Sequence, residues 1–162
     1  MPHRTSRPHR LIPFGLILMA IGFAILGFAQ QGLSQPAFPT THVHVTLKDF
    51  SVDPDQITAQ AGWITFQAMN AGTMAHELVI LRTDLNPANL PQIAEKDHKG
   101  SVTGLIVNED HAAVEPIEEI EEFPADSLKE KKILLAPGRY VLFCNVPEHY
   151  TKGMYASLLV EK

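Results

Sequence analysis

Cysteine is nearly absent from this sequence. Cys144 is the single cysteine among 162 residues, so an internal disulfide is impossible. Its sulfur is therefore left for packing, for chemistry or for binding a metal ion. The sequence also lacks a glycine-rich phosphate loop, a nucleophile elbow and a paired-carboxylate motif, and so it carries none of these three signatures of catalysis.

Basic residues are scarce after the first ten positions. Residues 30–162 hold 10 Lys and Arg against 18 Asp and Glu, a net charge of −8. Because such an acidic chain repels phosphate backbones, we expect no nucleic-acid binding. With 45% hydrophobic and 19% charged residues, the chain is too apolar for disorder and too interrupted for several membrane spans. Its length predicts one domain with one core, with or without a tail.

Long uncharged hydrophobic runs are limited to residues 11–29, which follow Arg4, Arg7 and Arg10. A hydrophobic helix with this basic flank is typical of an export signal, and everything after residue 30 is expected to be extracytoplasmic, in the periplasm or on the outer face of the membrane. Nineteen residues can just span a bilayer, whereas the small residues of the Gly27-Phe28-Ala29 segment allow cleavage by a signal peptidase. For residues 1–29, a signal peptide and a retained membrane anchor are both open, with the anchor slightly favoured.

The hydrophobic pattern of the exported part is that of β-strands. Residues 30–40 hold glycine, serine and two prolines, which predicts a linker to a domain at 41–162. Apolar and polar residues alternate from residue 41 onward. Further strand-like runs with turn signals between them are at 63–70, 76–81, 131–136, 139–144 and 155–160. Short strands at such intervals predict an all-β, antiparallel sandwich or barrel, with Trp63 in its core.

The segment 82–130 interrupts this pattern and is interpreted as an insertion. It contains four prolines and an acidic run, 109–126, with eight acidic residues and no Lys or Arg. Short helical turns are predicted around 91–96 and 116–122, which makes the insertion partly helical or loop. The acidic run is interpreted as a solvated surface, and a patch that binds a basic partner is the alternative.

Three potential metal ligands, Cys144, His149 and Met154, lie within eleven residues. Four residues separate each neighbouring pair, so a compact loop can turn a thiolate, an imidazole and a thioether toward one point. These soft or borderline donors suit copper and fit magnesium or calcium poorly. A blue-copper site needs one more imidazole, and His76 is the candidate because it follows a turn at the start of a strand. Each residue alone could be ordinary core or surface, but the combination favours a metal site.

Around these residues the sequence resembles the cupredoxins, a family of blue copper proteins that includes plastocyanin, azurin, auracyanin and sulfocyanin. The Gly138-Arg139-Tyr140 segment ahead of Cys144 is similar to the family's strand into the copper loop. The Asn70-Ala71-Gly72 segment ahead of His76 is similar to the family's approach to its first histidine. The resemblance implies a Greek-key β-sandwich over most of the exported domain.

The resemblance also implies the ligands and their roles. His76, Cys144 and His149 are expected to form a near-trigonal plane around one copper ion, with Met154 as a weak axial contact. Cys144 and Met154 are expected to be buried, and His149 is expected to lie nearest the surface, where an electron enters or leaves. Such a protein carries single electrons between Cu(I) and Cu(II) and is not an enzyme.

The sequence departs from the family beside the first histidine, where many members have asparagine. Here Glu77 follows His76, and Asn145 follows Cys144. We hypothesise a swapped brace in which Glu77 accepts a hydrogen bond from Asn145 or from its backbone, which would orient the ligands. Four further histidines are interpreted as surface residues without a metal: His42, His44, His98 and His111.

The favoured function is that of a monomeric one-electron carrier, soluble or attached to the membrane through residues 11–29. Its redox partners are expected to present a basic docking face to the acidic domain. Two alternatives stay open. One is an extracytoplasmic protein that binds and delivers copper, and the other, less favoured, is a metal-free β-sandwich that acts as an interaction module.

Overall fold

The computed structural model describes residues 41–162, which form two packed β-sheets and a separate hairpin. The strands are β1 (Thr41–Lys48), β2 (Ser51–Pro54), β3 (Thr58–Gln60), β4 (Gly62–Asn70), β5 (His76–Arg82), β6 (Gln92–Lys96), β7 (Val102–Val107), β8 (Glu115–Phe123), β9 (Ser127–Leu135), β10 (Gly138–Phe143) and β11 (Tyr155–Glu161). Two short 3₁₀ turns cover Pro87–Asn89 and Tyr150–Lys152. The predicted all-β sandwich is confirmed.

The two sheets are mixed rather than purely antiparallel. One has the strand order β2, β1, β4, β9, and the other has the order β3, β11, β10, β5, β8. The β1–β4 and β3–β11 pairs are parallel, and the other pairs within these two sheets are antiparallel. The antiparallel prediction was therefore wrong for two pairs, because the alternation of side chains along a strand does not encode the direction of its neighbour.

The core lies between the facing sides of the two sheets. On β4, Ile64, Phe66 and Ala68 are fully buried, as their alternation predicts. The prediction of Trp63 as a core residue was wrong, since its side chain is 47% exposed. Trp63 precedes Ile64 and therefore points to the opposite, solvent side of the strand, where Lys132 Nζ lies 5.4 Å from the ring centroid.

The predicted helical turns at 91–96 and 116–122 are instead strands β6 and β8. β6 pairs with β7 in the hairpin, and β8 forms an edge of the five-stranded sheet against β5. Ile117, Ile120 and Phe123 of β8 face inward at intervals of three residues, a spacing typical of a helix. Two register shifts between β5 and β8 each insert an extra residue and produce this interval within a strand.

The signal peptide or anchor predicted at 1–29 and the linker predicted at 30–40 lie outside the described residues. Within residues 41–162, no helix is long and apolar enough to cross a membrane.

Phe66 and Trp63 form a matched pair on opposite faces of β4. Phe66→Ala should destabilise the domain by about 3–5 kcal/mol, because it leaves a cavity in the core. Trp63→Ala should cost about 1 kcal/mol or less, because it removes a half-exposed ring and one cation–π contact. Urea unfolding followed by circular dichroism measures both values, and equal costs would contradict the assignment of faces.

Candidate metal centre

The pairing of β5 with β10 brings the first two candidate ligands to one end of the sandwich. The strands are antiparallel neighbours, with Phe143 opposite Val79. His76 is the first residue of β5, and Cys144 directly follows the last residue of β10. Because antiparallel strands run in opposite directions, the start of β5 and the end of β10 coincide. Both side chains are completely buried there.

The loop after β10 turns the other two candidates back toward Cys144. The backbone N–H of Cys144 donates to the carbonyl of Met154 at 3.1 Å, and the N–H of Met154 donates to the carbonyl of His149 at 3.2 Å. Gly153 has φ +101°, a left-handed conformation that suits glycine and lets the chain leave the 3₁₀ turn toward β11. The loop thus closes on itself, and Met154 packs in the same core cluster as Cys144.

Three of the four predicted ligands present their donor atoms to one point. Nδ1 of His76 and Nδ1 of His149 are 3.2 Å apart, and Sγ of Cys144 lies 4.0 Å from the first and 3.3 Å from the second. The point equidistant from the corners of this triangle is about 2 Å from each, close to the ~2.0–2.3 Å of first-row metal bonds to imidazole and thiolate. Among residues 41–162, this is the one group of three or more His, Cys, Asp or Glu side chains with metal-ligand spacing.

Burial favours the neutral forms of Cys144 and His149 before a metal binds. Burial raises the pKa of the Cys144 thiol to about 12, although the backbone N–H groups of Glu77 and Val146 donate to its sulfur and oppose this shift. Burial, followed by repulsion from His76, lowers the pKa of His149, so its imidazole is neutral at pH 7. Binding of a metal to the thiolate therefore releases the thiol proton at neutral pH, and the two N–H groups stabilise the thiolate that forms.

Glu77 lies beside the backbone that follows Cys144, and the swapped brace itself stays a prediction. Its carboxyl accepts a hydrogen bond from the backbone N–H of Asn145. The side chain of Asn145 points elsewhere, pairing with both backbone groups of Val107 on β7 and donating to Glu109 at 2.8 Å. Burial, together with a hydrogen bond to Glu119 and repulsion from it, raises the pKa of Glu77 to about 8. The carboxyl of Glu77 therefore keeps its proton to a higher pH than an exposed glutamate does.

The β6–β7 hairpin is fastened to the loop that carries His149. Leu105 of β7 exchanges two hydrogen bonds with Glu148: its carbonyl accepts from the Glu148 N–H at 2.9 Å, and its N–H donates to Oε1 at 2.6 Å. A Cβ at Gly104 would lie 3.0 Å from the side chain of Pro147, so only glycine allows this approach. Glu148 has φ +70°, an unfavourable conformation that the hairpin contacts stabilise.

Sequence reasoning missed two residues that contact the histidines, Asp49 and Phe50 in the turn between β1 and β2. Oδ1 of Asp49 is 3.2 Å from Nε2 of His76. The Phe50 ring packs edge-on against His149 with centroids 5.6 Å apart. Hydrogen bonds from the Thr73 side chain and backbone hold the pKa of Asp49 down at about 2. The sequence places these residues 26 or more positions from either histidine. No motif in the turn indicates that it contacts them.

Exposure separates the remaining histidines from the predicted ligands. Four histidines are exposed, apart from the buried cluster: His42, His44, His98 and His111. Cys144 and Met154 are buried with no exposed surface, and His149 is 6% exposed, which makes it the most accessible of the four predicted ligands.

No protein-family model and no curated protein matches the sequence. Solved structures do match the fold. A sodium-dithionite-reduced auracyanin from the photosynthetic bacterium Roseiflexus castenholzii superposes with a TM-score of 0.53 at 20% identity, over 76% of this chain and 98% of that one. Auracyanin B matches with a TM-score of 0.52 at 18% identity, over 77% of this chain and 91% of its own. Rusticyanin from Thiobacillus ferrooxidans matches at 14% identity with a TM-score of 0.43, over 76% and 80%. The two auracyanin matches show that the chain has the cupredoxin fold.

Glu77→Gln tests the raised pKa of Glu77 in the metal-free protein. A carboxyl whose pKa rises from 4.5 to about 8 on folding stabilises the fold fully below pH 4.5, and this contribution is lost as the pH rises to 8. The metal-free wild type should therefore lose thermal stability between pH 5 and pH 8, and the variant, which stays neutral, should lose less. The matched control is Glu161→Gln at the exposed end of β11, which should behave as wild type. If the stability of Glu77→Gln depends on pH as strongly as that of the wild type, the raised pKa of Glu77 is contradicted.

Proposed function

We propose that the protein is an exported mononuclear type 1 copper protein that carries single electrons between redox partners. The observation that carries this proposal is the convergence of one thiol and two imidazoles on one buried point. A thiolate, two imidazoles and a thioether are the ligands of blue-copper electron-transfer sites. Copper bound there would supply reversible one-electron chemistry between Cu(I) and Cu(II).

The protein's own residues would hold His76, Cys144 and His149 in place in both oxidation states. Cys144 and His76 are fixed by the paired strands β10 and β5, and His149 is fixed by the loop and by the hairpin that holds Glu148. A rigid set of ligands limits the rearrangement that accompanies electron transfer. Met154, fully buried in the same core cluster as Cys144, would supply a thioether as the fourth ligand.

The site is suited to transferring electrons and poorly suited to binding a substrate. His76, Cys144 and Met154 have no exposed surface, and His149, which contacts the Phe50 ring, is only 6% exposed. No substrate can therefore reach the metal directly, whereas His149 lies close enough to the surface to pass an electron. We accordingly propose a carrier rather than an enzyme. From the arginines and the hydrophobic run of residues 1–29 we also propose that it works outside the cytoplasm, and we propose that it is a monomer.

An optical titration tests this function. Purified protein titrated with Cu(II) should develop an intense visible thiolate-to-copper band that saturates at one equivalent, bleaches with ascorbate and returns on reoxidation. Cys144→Ser is the matched control, and it should remove the band while the fold, measured by circular dichroism, persists. A weak, pale spectrum, or rapid loss of the copper to a chelator, would contradict the electron carrier and favour a copper-delivery protein.

The acidic charge of the domain predicts how its redox partners approach. We propose partners with a basic docking face, because residues 30–162 carry a net charge of −8. Oxidation of the Cu(I) protein by cationic tris(phenanthroline)cobalt(III) should slow as ionic strength rises. Oxidation by anionic ferricyanide should accelerate over the same range. Stopped-flow rates that do not depend on salt for either reagent would exclude electrostatic steering.

A further inference from the structure

The turn between β1 and β2 supplies a carboxylate to a histidine that lies 27 residues further along the chain. Nδ1 of His76 faces Cys144 and His149, and Nε2, on the far side of the ring, lies 3.2 Å from Oδ1 of Asp49. The imidazole ring therefore lies between the candidate metal position and the carboxylate of Asp49. The His76 ring is completely buried, and the Asp49 side chain is 30% exposed.

Asp49 is held firmly in this position. Its Oδ1 accepts from the backbone N–H of Thr73 at 2.9 Å, and its Oδ2 pairs with the Thr73 hydroxyl at 2.7 Å. A longer contact of 3.4 Å joins Oδ1 to the backbone N–H of Met74. These partners belong to the loop just before β5, so the carboxylate ties the β1–β2 turn to the segment that leads into His76.

Gly72 shows how closely the three groups are packed. A Cβ at this position would lie 2.7 Å from Nε2 of His76 and would also collide with Oδ1 of Asp49. Asn70 holds the loop in this arrangement, since its side chain accepts from the Gly72 N–H at 3.0 Å and donates to the Met74 carbonyl at 2.9 Å. The Asp49 carboxylate and the His76 ring therefore leave no room for a side chain at position 72.

We propose that Asp49 is a positioning residue that keeps the proton of His76 on Nε2, leaves Nδ1 free to bind copper and lowers the reduction potential of the site. A carboxylate that accepts from the outer N–H of a ligating histidine fixes its tautomer and makes it a more basic ligand. A more basic ligand with a nearby negative charge favours Cu(II) over Cu(I). This inference rests on the proposed function for its effect on the potential, but its effect on the tautomer does not require copper.

Asp49→Asn is the sharpest variant, because it removes the charge and keeps the shape. The amide oxygen can still accept from Thr73 N–H and from His76, and the amide nitrogen can donate to the Thr73 hydroxyl. The variant should bind one copper, keep the visible band and show a higher reduction potential than wild type. Asp53→Asn in β2 is the matched control, because it removes the same charge from an exposed residue paired with Lys48, and it should shift the potential less. Equal shifts in the two variants, or no shift in Asp49→Asn, would overturn the proposed effect on the potential.

Asp49→Ala separates this inference from the proposed function. In the metal-free protein, nitrogen NMR should show His76 protonated on Nε2 in wild type and in Asp49→Asn, and this preference should weaken in Asp49→Ala. A wild type that gives no blue-copper band but does show this tautomer would refute the proposed function and retain the positioning role. A tautomer unaffected by the removal of the carboxylate would overturn the positioning role, whatever the copper spectrum shows.

Discussion

The antiparallel pairing of β5 with β10 is the constraint on which the site depends. Because Phe143 lies opposite Val79, the start of one strand and the end of the other are fixed at the same end of the sheet. His76 and Cys144 therefore meet although they lie 68 positions apart in the sequence. Beyond Cys144 the chain turns back once. The hydrogen bond from the Cys144 N–H to the Met154 carbonyl closes this turn. The buried aliphatic residues of both strands hold the register, since a slip of one residue would direct every side chain to the opposite face.

Segments without a predicted ligand complete the arrangement. The β1–β2 turn places Asp49 against one histidine and Phe50 against the other, and the β6–β7 hairpin supports Glu148. Backbone N–H groups point at the buried sulfur, so a thiolate formed on metal binding does not lack hydrogen-bond donors. These contacts hold the side chains of the predicted ligands in fixed orientations. A site that gains and loses an electron without moving its ligands requires such support.

The sequence was informative where chemistry and periodicity coincide. A lone cysteine with histidine and methionine at short intervals predicts a metal loop, and alternation along β1 and β4 predicts the faces of the core. The β-bulges of β8 were not predictable, because an extra residue in a strand gives Ile117, Ile120 and Phe123 the spacing of a helix. Asp49 was missed for a different reason. Its partner is brought to it by the parallel pairing of β1 with β4, a long-range contact that neither local motif reveals.

The central claim is that one copper ion is held by the same residues in both oxidation states. X-ray absorption spectroscopy at the copper edge of the Cu(II) and ascorbate-reduced proteins tests it most directly. We predict two nitrogen neighbours and one short sulfur neighbour in each state, with nearly unchanged distances, and the sulfur neighbour lost in Cys144→Ser. A copper ion without a short sulfur neighbour, or one that exchanges a ligand on reduction, would contradict the account.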